Sequence, residues 1–302
     1  MLENKSDAVQ AGYIVLIIAG VLILVKAVAY YISGSLGILS SLTDSALDFL
    51  VSFMALGSLY YAQRPADEDH RWGHGKMEAI SALFQGAILA GGAVFLVFEA
   101  VNRFINPQEV SHHMAGIVVM VISIVLSMVI VFIQRRAVKK THSLALEADL
   151  LHYSSDTLIN LGVIALLMFQ VNGAPYWFDP AFAVMVAVFL GFCARKVALK
   201  ALAVLLDREL SDDVRGKIIT IIEDNKHVLG WHDLRTHYNG HSNVISFDIE
   251  VNAKLSLWDA HEIAKQLENG ILEHYPSSEI LIHIDPEGYT EDTRHRVEGI
   301  HT

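Results

Sequence analysis

Residues 36–61 read LGILSSLTDSALDFLVSFMALGSLYY, an apolar run that carries carboxylates at Asp44 and Asp48. A helix needs about 20 mostly apolar residues to cross the hydrocarbon core of a bilayer, and this run is long enough. Ionisable groups inside such a span are costly, so they mark a functional site by default. The segment therefore predicts a transmembrane helix that presents two candidate ligands.

Runs of similar length and apolarity recur along the first two thirds of the chain. They predict six spans, at residues 12–32, 36–61, 79–102, 115–133, 144–171 and 180–204. With 53% hydrophobic residues, the chain exceeds the roughly 45–50% of an ordinary soluble domain. We therefore expect residues 1–206 to form an all-α transmembrane domain of six helices.

Basic residues fall almost entirely on one set of connections between the predicted spans. That set comprises Lys5, Arg64, Arg71, Lys76, Arg135, Arg136, Lys139 and Lys140, whereas the opposite connections offer only Arg103. Connections that are rich in lysine and arginine stay in the cytoplasm. Both termini are therefore predicted to be cytoplasmic.

After residue 206 the pattern changes to that of a soluble domain. Amphipathic helices are predicted at residues 211–226 and 257–275, and strands at 234–238, 244–252 and 279–285. This order predicts an α+β domain of αββαβ type over residues 207–286, followed by a polar, disordered tail at 287–302. In the last strand, alternation places Ile280, Ile282 and Ile284 inward, and Leu281, His283 and Asp285 outward.

The formal charge of −11 and the 15 histidines make the chain a poor binder of nucleic acid and a suitable binder of cations. The single cysteine, Cys193, excludes an internal disulfide and disfavours a thiolate metal site.

The second and fifth spans each carry a pair of metal-type ligands. Asp44 and Asp48 are four residues apart, as are His152 and Asp156, so each pair shares one helical face. Three carboxylates and an imidazole predict a four-coordinate tetrahedral site that suits Zn²⁺ and tolerates Cd²⁺, Fe²⁺ or Co²⁺. The alternative is a structural one, in which these groups pair with each other or with Lys26 to pin the helices together.

Polar neighbours extend the same helical faces. They include Ser52 on the second span and Asp149 on the fifth. We expect these side chains to line a wet access path to the predicted site.

Two further groups of ligand-type residues lie outside the spans. The segment DEDHRWGHGK at 67–76 holds two histidines and three acids, which fits either a second metal ion or a solvated polar turn. The soluble domain holds a set of histidines and acids that fits either metal binding or an inert surface. Its members are His232, His237, His241, Asp248, His261, His283 and Asp285.

Several short motifs make the chain similar to the cation diffusion facilitator family, in its zinc and ferrous-iron efflux branch. They are SLTDS with Asp48, GHGK with Glu78, ADLLHYSSD at 148–156, LLDR at 205–208 and HDLR at 232–235. The resemblance extends over nearly the whole chain. It implies a homodimer in a bacterial inner membrane that exchanges metal ions for protons.

The resemblance also implies residue roles. The transport site would be Asp44, Asp48, His152 and Asp156, and the loop site Asp67, His70 and His74. The cytoplasmic binuclear site would draw on His232, Asp248, His261, His283 and Asp285. Lys76 and Asp207 would form a charge interlock at the dimer interface. The chain departs from the family where Asp248 replaces a frequent histidine and Ile284 a polar residue, which implies an altered metal preference.

These observations predict a secondary active transporter and not an enzyme, with Zn²⁺ as both cargo and regulator. A membrane metalloenzyme would keep one coordination position open, whereas four protein ligands close the tetrahedron. A metal sensor without transport would not need ligands in the middle of the membrane.

Overall fold

The computed structural model describes residues 2–33, 36–105, 114–171 and 177–289. These residues form two compact units, one up to Leu202 and one from Ala203 onward. Residues 34–35 of the predicted first hairpin and 290–302 of the predicted tail lie outside the described part.

The first unit consists of long helices. They are α1 (Leu2–Ser33), α2 (Leu36–Ala62), α3 (Met77–Ile105), α4 (Met114–Thr141), α5 (Leu144–Val171) and α6 (Phe178–Leu205). Within the described residues, five helical segments are long and apolar enough to cross a membrane, at 7–32, 41–62, 77–102, 121–141 and 180–205. Helix α5 is not among these five segments. The predicted helical transmembrane domain is confirmed.

Several helices extend beyond their predicted apolar spans. Helix α1 begins ten residues earlier than the predicted start at 12, and α4 continues from 133 to Thr141. These polar ends still bury small residues, since Ala8 and Ala11 of α1 pack with Leu59 and Ala137. Hydropathy therefore locates the part of each helix in the bilayer, whereas packing determines where the helix ends.

Helix α5 lies within the bundle and contacts α2, α3 and α4. Tyr153 of α5 belongs to a buried cluster that also contains Val15 of α1 and Ile130 of α4. On its other side α5 approaches α6 closely: a Cβ built on Gly162 would stand 1.9 Å from Cζ of Phe182. Only glycine fits this contact without a shift of the Phe182 side chain.

The second unit has the predicted αββαβ order. Its elements are α7 (Asp212–Glu223), β1 (Gly230–Tyr238), β2 (Asn243–Val251), α8 (Leu257–His274) and β3 (Ser278–Pro286). The sheet order is β1-β2-β3, with β1 antiparallel and β3 parallel to β2. A hairpin joins β1 to β2, and Gly240 in its turn has φ of +89°.

Apolar residues of both helices pack on one face of this sheet. The core is formed by Ile218, Ile222, Leu234, Ile245, Phe247, Ile249, Val251, Ala260, Ile263, Leu267 and Ile271. This two-layer core belongs to the unit alone, so the unit has the means to fold independently. The opposite face of the sheet is left for polar side chains.

Candidate metal centres

Three of the four ligands predicted within the spans converge between α2 and α5. Nε2 of His152 lies 3.0 Å from Oδ1 of Asp48 and 3.6 Å from Oδ2 of Asp156. One ligand atom from each residue falls within 4.8 Å of the others, which is close enough to share an ion. Oδ2 of Asp156 is buried without a hydrogen-bond donor among the described residues. A bound cation would satisfy this carboxylate oxygen.

The fourth predicted ligand, Asp44, is placed apart from these three. It lies one helical turn before Asp48 on α2, is exposed, and interacts electrostatically with Asp48. Its carboxylate is not part of the close cluster of ligand atoms. Closing a tetrahedral set with Asp44 therefore requires a change of its side-chain rotamer or a small movement of α2.

Lys26 of α1 is the cation that could have neutralised these acids in the structural alternative. Its side chain is buried, and Nζ donates to Oγ of Ser45 at 2.6 Å and to the carbonyl of Ser41 at 3.0 Å. Its hydrogen bonds thus go to α2 serine groups beside the carboxylates. Neither of these hydrogen bonds uses the carboxylate of Asp48 or Asp156.

Two polar residues that were expected to line a wet path are instead buried. Asp149 and Ser52 are each 2% exposed. Oγ of Ser52 lies 3.1 and 3.3 Å from the two carboxylate oxygens of Asp149. The expectation was wrong because Ser52 and Asp149 bond to each other between α2 and α5, and Gln134 of α4 also contacts Asp149. Sequence periodicity alone does not show which neighbour covers a face.

The loop between α2 and α3 brings Asp67 together with both of its histidines. Asp67 lies 3.4 Å from Nδ1 of His70 and 3.2 Å from Nε2 of His74. The backbone N–H of His70 donates to Asp67 at 2.7 Å, and this bond is the main reason that the pKa of Asp67 lies below its usual value. The carboxylate therefore stays ionised, which favours cation binding.

His74 is the buried member of this loop cluster. Its side chain is 2% exposed, its ring stands edge-on to Tyr61 at 4.8 Å, and Nδ1 has no hydrogen-bond partner among the described residues. Gly73, with φ of +78°, allows the turn that directs His74 inward. A buried imidazole whose Nε2 faces an ionised carboxylate fits a metal ligand better than a solvated turn.

A third cluster lies on the polar face of the cytoplasmic sheet. Nε2 of His232 lies 3.7 Å from Oδ2 of Asp248 and 3.6 Å from Oδ2 of Asp285. His232 pairs with Asp248 across β1 and β2, and a bulge follows His232 in β1. The neighbouring Asp233 has φ of +53°. These three side chains form the compact part of the predicted cytoplasmic site.

The other predicted members of this site are spread more widely. His283 is an exposed residue whose Nε2 lies 3.3 Å from Oδ1 of Asp285, whereas His261 is exposed on α8. Asp285 itself is 4% exposed, although alternation predicted an outward position. It does lie on the same sheet face as His283, but the side chain of His232 covers it.

Sequence reasoning missed two contacts near these sites. Glu250 lies 3.9 Å from Nδ1 of His232, and His237 lies 3.6 Å from Asp207. The alternation of β2 could have suggested Glu250, because it shares a strand face with Asp248. The two residues of the predicted charge interlock lie next to helix ends: Lys76 comes directly before α3, and Asp207 follows α6.

Comparison with known proteins agrees with this arrangement. The cation efflux transmembrane domain family matches residues 13–206, and the cytoplasmic domain of the cation efflux protein matches residues 210–287. The cation-efflux pump FieF of Shewanella oneidensis is 40% identical over 265 residues, covering 88% of this chain and 89% of that protein. The protein of the same name from Cronobacter sakazakii is 36% identical over 277 residues, covering 92% of each.

Among solved structures, the metal-bound C-terminal domain of the CzcD transporter from Thermotoga maritima is 31% identical. The match covers 26% of this chain and 93% of the CzcD domain, with a TM-score of 0.25. The two family matches together span nearly the whole chain, and the full-length relatives are cation-efflux pumps by name. The chain therefore belongs to the cation diffusion facilitator family, as a multi-pass divalent cation efflux transporter with a cytoplasmic α/β domain.

Proposed function

We propose that this protein exports divalent transition-metal ions, Zn²⁺ foremost, in exchange for protons. Cd²⁺, Fe²⁺ and Co²⁺ would be accepted by the same oxygen and nitrogen ligands. The observation that carries this proposal is the convergence of Asp48, His152 and Asp156 from two membrane-spanning helices. A cation site within the bilayer, built from two helices that can shift relative to each other, fits transport better than static binding.

The proposed cycle is alternating access. In the inward-facing state, the metal ion binds at Asp44, Asp48, His152 and Asp156 and displaces their protons, because ligands must be deprotonated to bind. The 3.0 Å contact between His152 and Asp48 supports this proposal, since a proton on His152 would pair with the carboxylate that the metal needs. Protons arriving from the opposite side would then release the metal.

The remaining clusters would act on the cytoplasmic side. We place both termini in the cytoplasm of a bacterial cell, with the protein as a homodimer in the inner membrane. Asp67, His70 and His74 would hold a second ion in the loop. His232, Asp248 and Asp285, with His283 and His261 nearby, would hold regulatory metal that draws the two cytoplasmic domains together. Bound cations would relieve the repulsion between two acidic domains.

Replacing His152 with aspartate is expected to change the metal preference of the transport site. An all-carboxylate set is a harder ligand set, which favours Mn²⁺ over Zn²⁺. We expect the Zn²⁺/Mn²⁺ ratio of kcat/KM to fall about tenfold, or about 1.4 kcal/mol. The measurement is uptake of each metal by proteoliposomes, with His142→Asp at the end of α4 as a control. An unchanged ratio would remove His152 from the transported ion's ligands.

Replacing Lys76 with alanine is expected to weaken the homodimer. The family resemblance pairs Lys76 with Asp207, and truncating Lys76 would remove this attraction across the dimer interface. Because Asp207 is exposed, we expect the free energy of dimerisation to fall by at most about 1 kcal/mol. Detergent dilution with size-exclusion chromatography would measure it, and Arg71→Ala, an exposed change in the same loop, serves as the control. If both variants dissociate like the unmodified protein, the interlock does not operate in this chain.

A further inference from the structure

A buried polar network connects three helices of the membrane unit next to the proposed transport site. It consists of Ser52 on α2, Gln134 on α4, and Asp149 and Tyr153 on α5, and we call these four residues the Asp149 network. Their exposed fractions are 2%, 0%, 2% and 1%. Four polar side chains buried this completely within a membrane unit need each other as partners.

The hydrogen bonds of the network cross between helices. Nε2 of Gln134 donates to Oδ2 of Asp149 at 2.5 Å. Oγ of Ser52 lies 3.1 Å from Oδ1 of Asp149 and 3.1 Å from the Tyr153 hydroxyl. A serine has only one hydroxyl proton, so both contacts are satisfied when Ser52 donates to Asp149 and accepts from Tyr153. Asp149 thus ties α4 and α2 to its own helix.

The Asp149 network lies one helical turn from the proposed metal ligands on α2 and on α5, the two helices that supply these ligands. Ser52 follows Asp48 by four residues, and Asp149 precedes His152 by three, so network and ligands share a face on each helix. On α2 this turn lies toward the end of the helix at Ala62, and on α5 toward the start at Leu144. The network therefore sits at one end of the ligand cluster and spans the same pair of helices.

We infer that the Asp149 network sets the register of α2 against α5, and thereby the distances between Asp48, His152 and Asp156 on which metal selection depends. Asp149 is a positioning residue in this account. Its carboxylate is buried and bonded to two other helices, so it is not available to a passing ion. A tetrahedral ion as small as Zn²⁺ needs its ligands placed within a few tenths of an ångström, whereas the larger Cd²⁺ tolerates a looser set. The inference rests on the proposed transport site.

The test compares two buried serines of α2 that differ in what they bond. Ser52→Ala removes a bond between helices, whereas Ser58→Ala removes a bond of 2.7 Å to the carbonyl of Ala55 within α2. Both serines are 2% exposed. In proteoliposomes, we expect Ser52→Ala to raise the KM for Zn²⁺ roughly tenfold, as loss of ligand-orienting groups does, and to raise that for Cd²⁺ less. Ser58→Ala should leave the Zn²⁺/Cd²⁺ ratio unchanged.

Two changes at Asp149 separate a hydrogen-bonding role from a role of its charge. Asp149→Asn keeps an oxygen for Gln134 and an amide for Ser52, so it should preserve the Zn²⁺/Cd²⁺ ratio. Asp149→Ala should shift the ratio as Ser52→Ala does. If Asp149→Asn is as defective as Asp149→Ala, or if Ser52→Ala and Ser58→Ala behave alike, the inference is wrong.

Three further experiments keep the outcome interpretable. Tyr153→Phe removes one hydroxyl with little change of volume, and it provides a network variant if Asp149→Ala does not fold. Thermal melting and size-exclusion profiles of every variant identify those that are misfolded. Unmodified protein and Asp156→Ala are assayed alongside. Metal flux in the first and none in the second supports the proposed transport site, whatever the serine variants show.

Discussion

Asp156→Ala is expected to abolish metal transport while leaving a folded protein. Asp156 supplies one of three ligand atoms that lie within 4.8 Å of one another, and its Oδ2 has no hydrogen-bond donor among the described residues. Losing one ligand opens a tetrahedral site and should lower flux by about a hundredfold or more. Asp48→Ala should behave in the same way. The measurement is Zn²⁺ uptake into proteoliposomes.

The control for this change is the next residue along α5. The hydroxyl of Thr157 donates to the carbonyl of Tyr153 within the helix, so Thr157→Val changes a buried polar side chain without touching the ligand cluster. It should retain most of the flux. Wild-type flux in Asp156→Ala would show that the transported ion does not bind between α2 and α5.

Zinc is expected to stabilise the isolated cytoplasmic segment, residues 207–289, and to increase its dimer fraction. The segment has its own hydrophobic core, and its polar sheet face brings His232, Asp248 and Asp285 together. Oδ2 of Asp285 is buried without a hydrogen-bond donor among the described residues, as expected for an oxygen that binds a metal ion. A ligand at 100 times its Kd adds about 2.7 kcal/mol, or roughly 10 °C or more in Tm for a domain of this size.

Calorimetry and analytical ultracentrifugation, with chelator as the reference state, would measure both quantities. The double variant His232→Ala with Asp248→Ala should lose both responses. His274→Ala should keep them, because His274 contacts the carbonyl of Gly270 on α8, away from the cluster. If zinc changes neither quantity in the unmodified segment, the cluster is a solvated polar surface and any regulation lies elsewhere.

Sequence patterns with a clear physical period gave the most specific structural predictions. The long apolar runs predicted the transmembrane helices, and the change to shorter amphipathic and alternating segments predicted the αββαβ domain. The four-residue spacing of His152 and Asp156 was enough to place both on one face of α5. These features depend only on residues that are close together in the chain, so they can be predicted from the sequence.

Features that depend on a neighbouring helix or strand were harder to predict from the sequence. Asp149 carries the same charge as Asp156 on the same helix, yet one is bonded within the bundle and the other faces the ligand cluster. The difference arises from Gln134 on α4, 15 residues earlier in the chain. Asp285 was expected to be exposed because the sequence does not show that His232 reaches across the sheet. Periodicity assigns a face but does not identify what covers it.

The central claim is that protons and a divalent metal ion compete for the site between α2 and α5. The most direct test loads purified protein into liposomes with equal Zn²⁺ inside and outside and then makes the lumen more acidic than the bath, with Asp156→Ala vesicles in parallel. Zn²⁺ is expected to accumulate in the lumen while luminal protons leave, and neither change is expected with Asp156→Ala. Zn²⁺ movement that does not depend on the pH gradient, or that persists in Asp156→Ala, would contradict this competition.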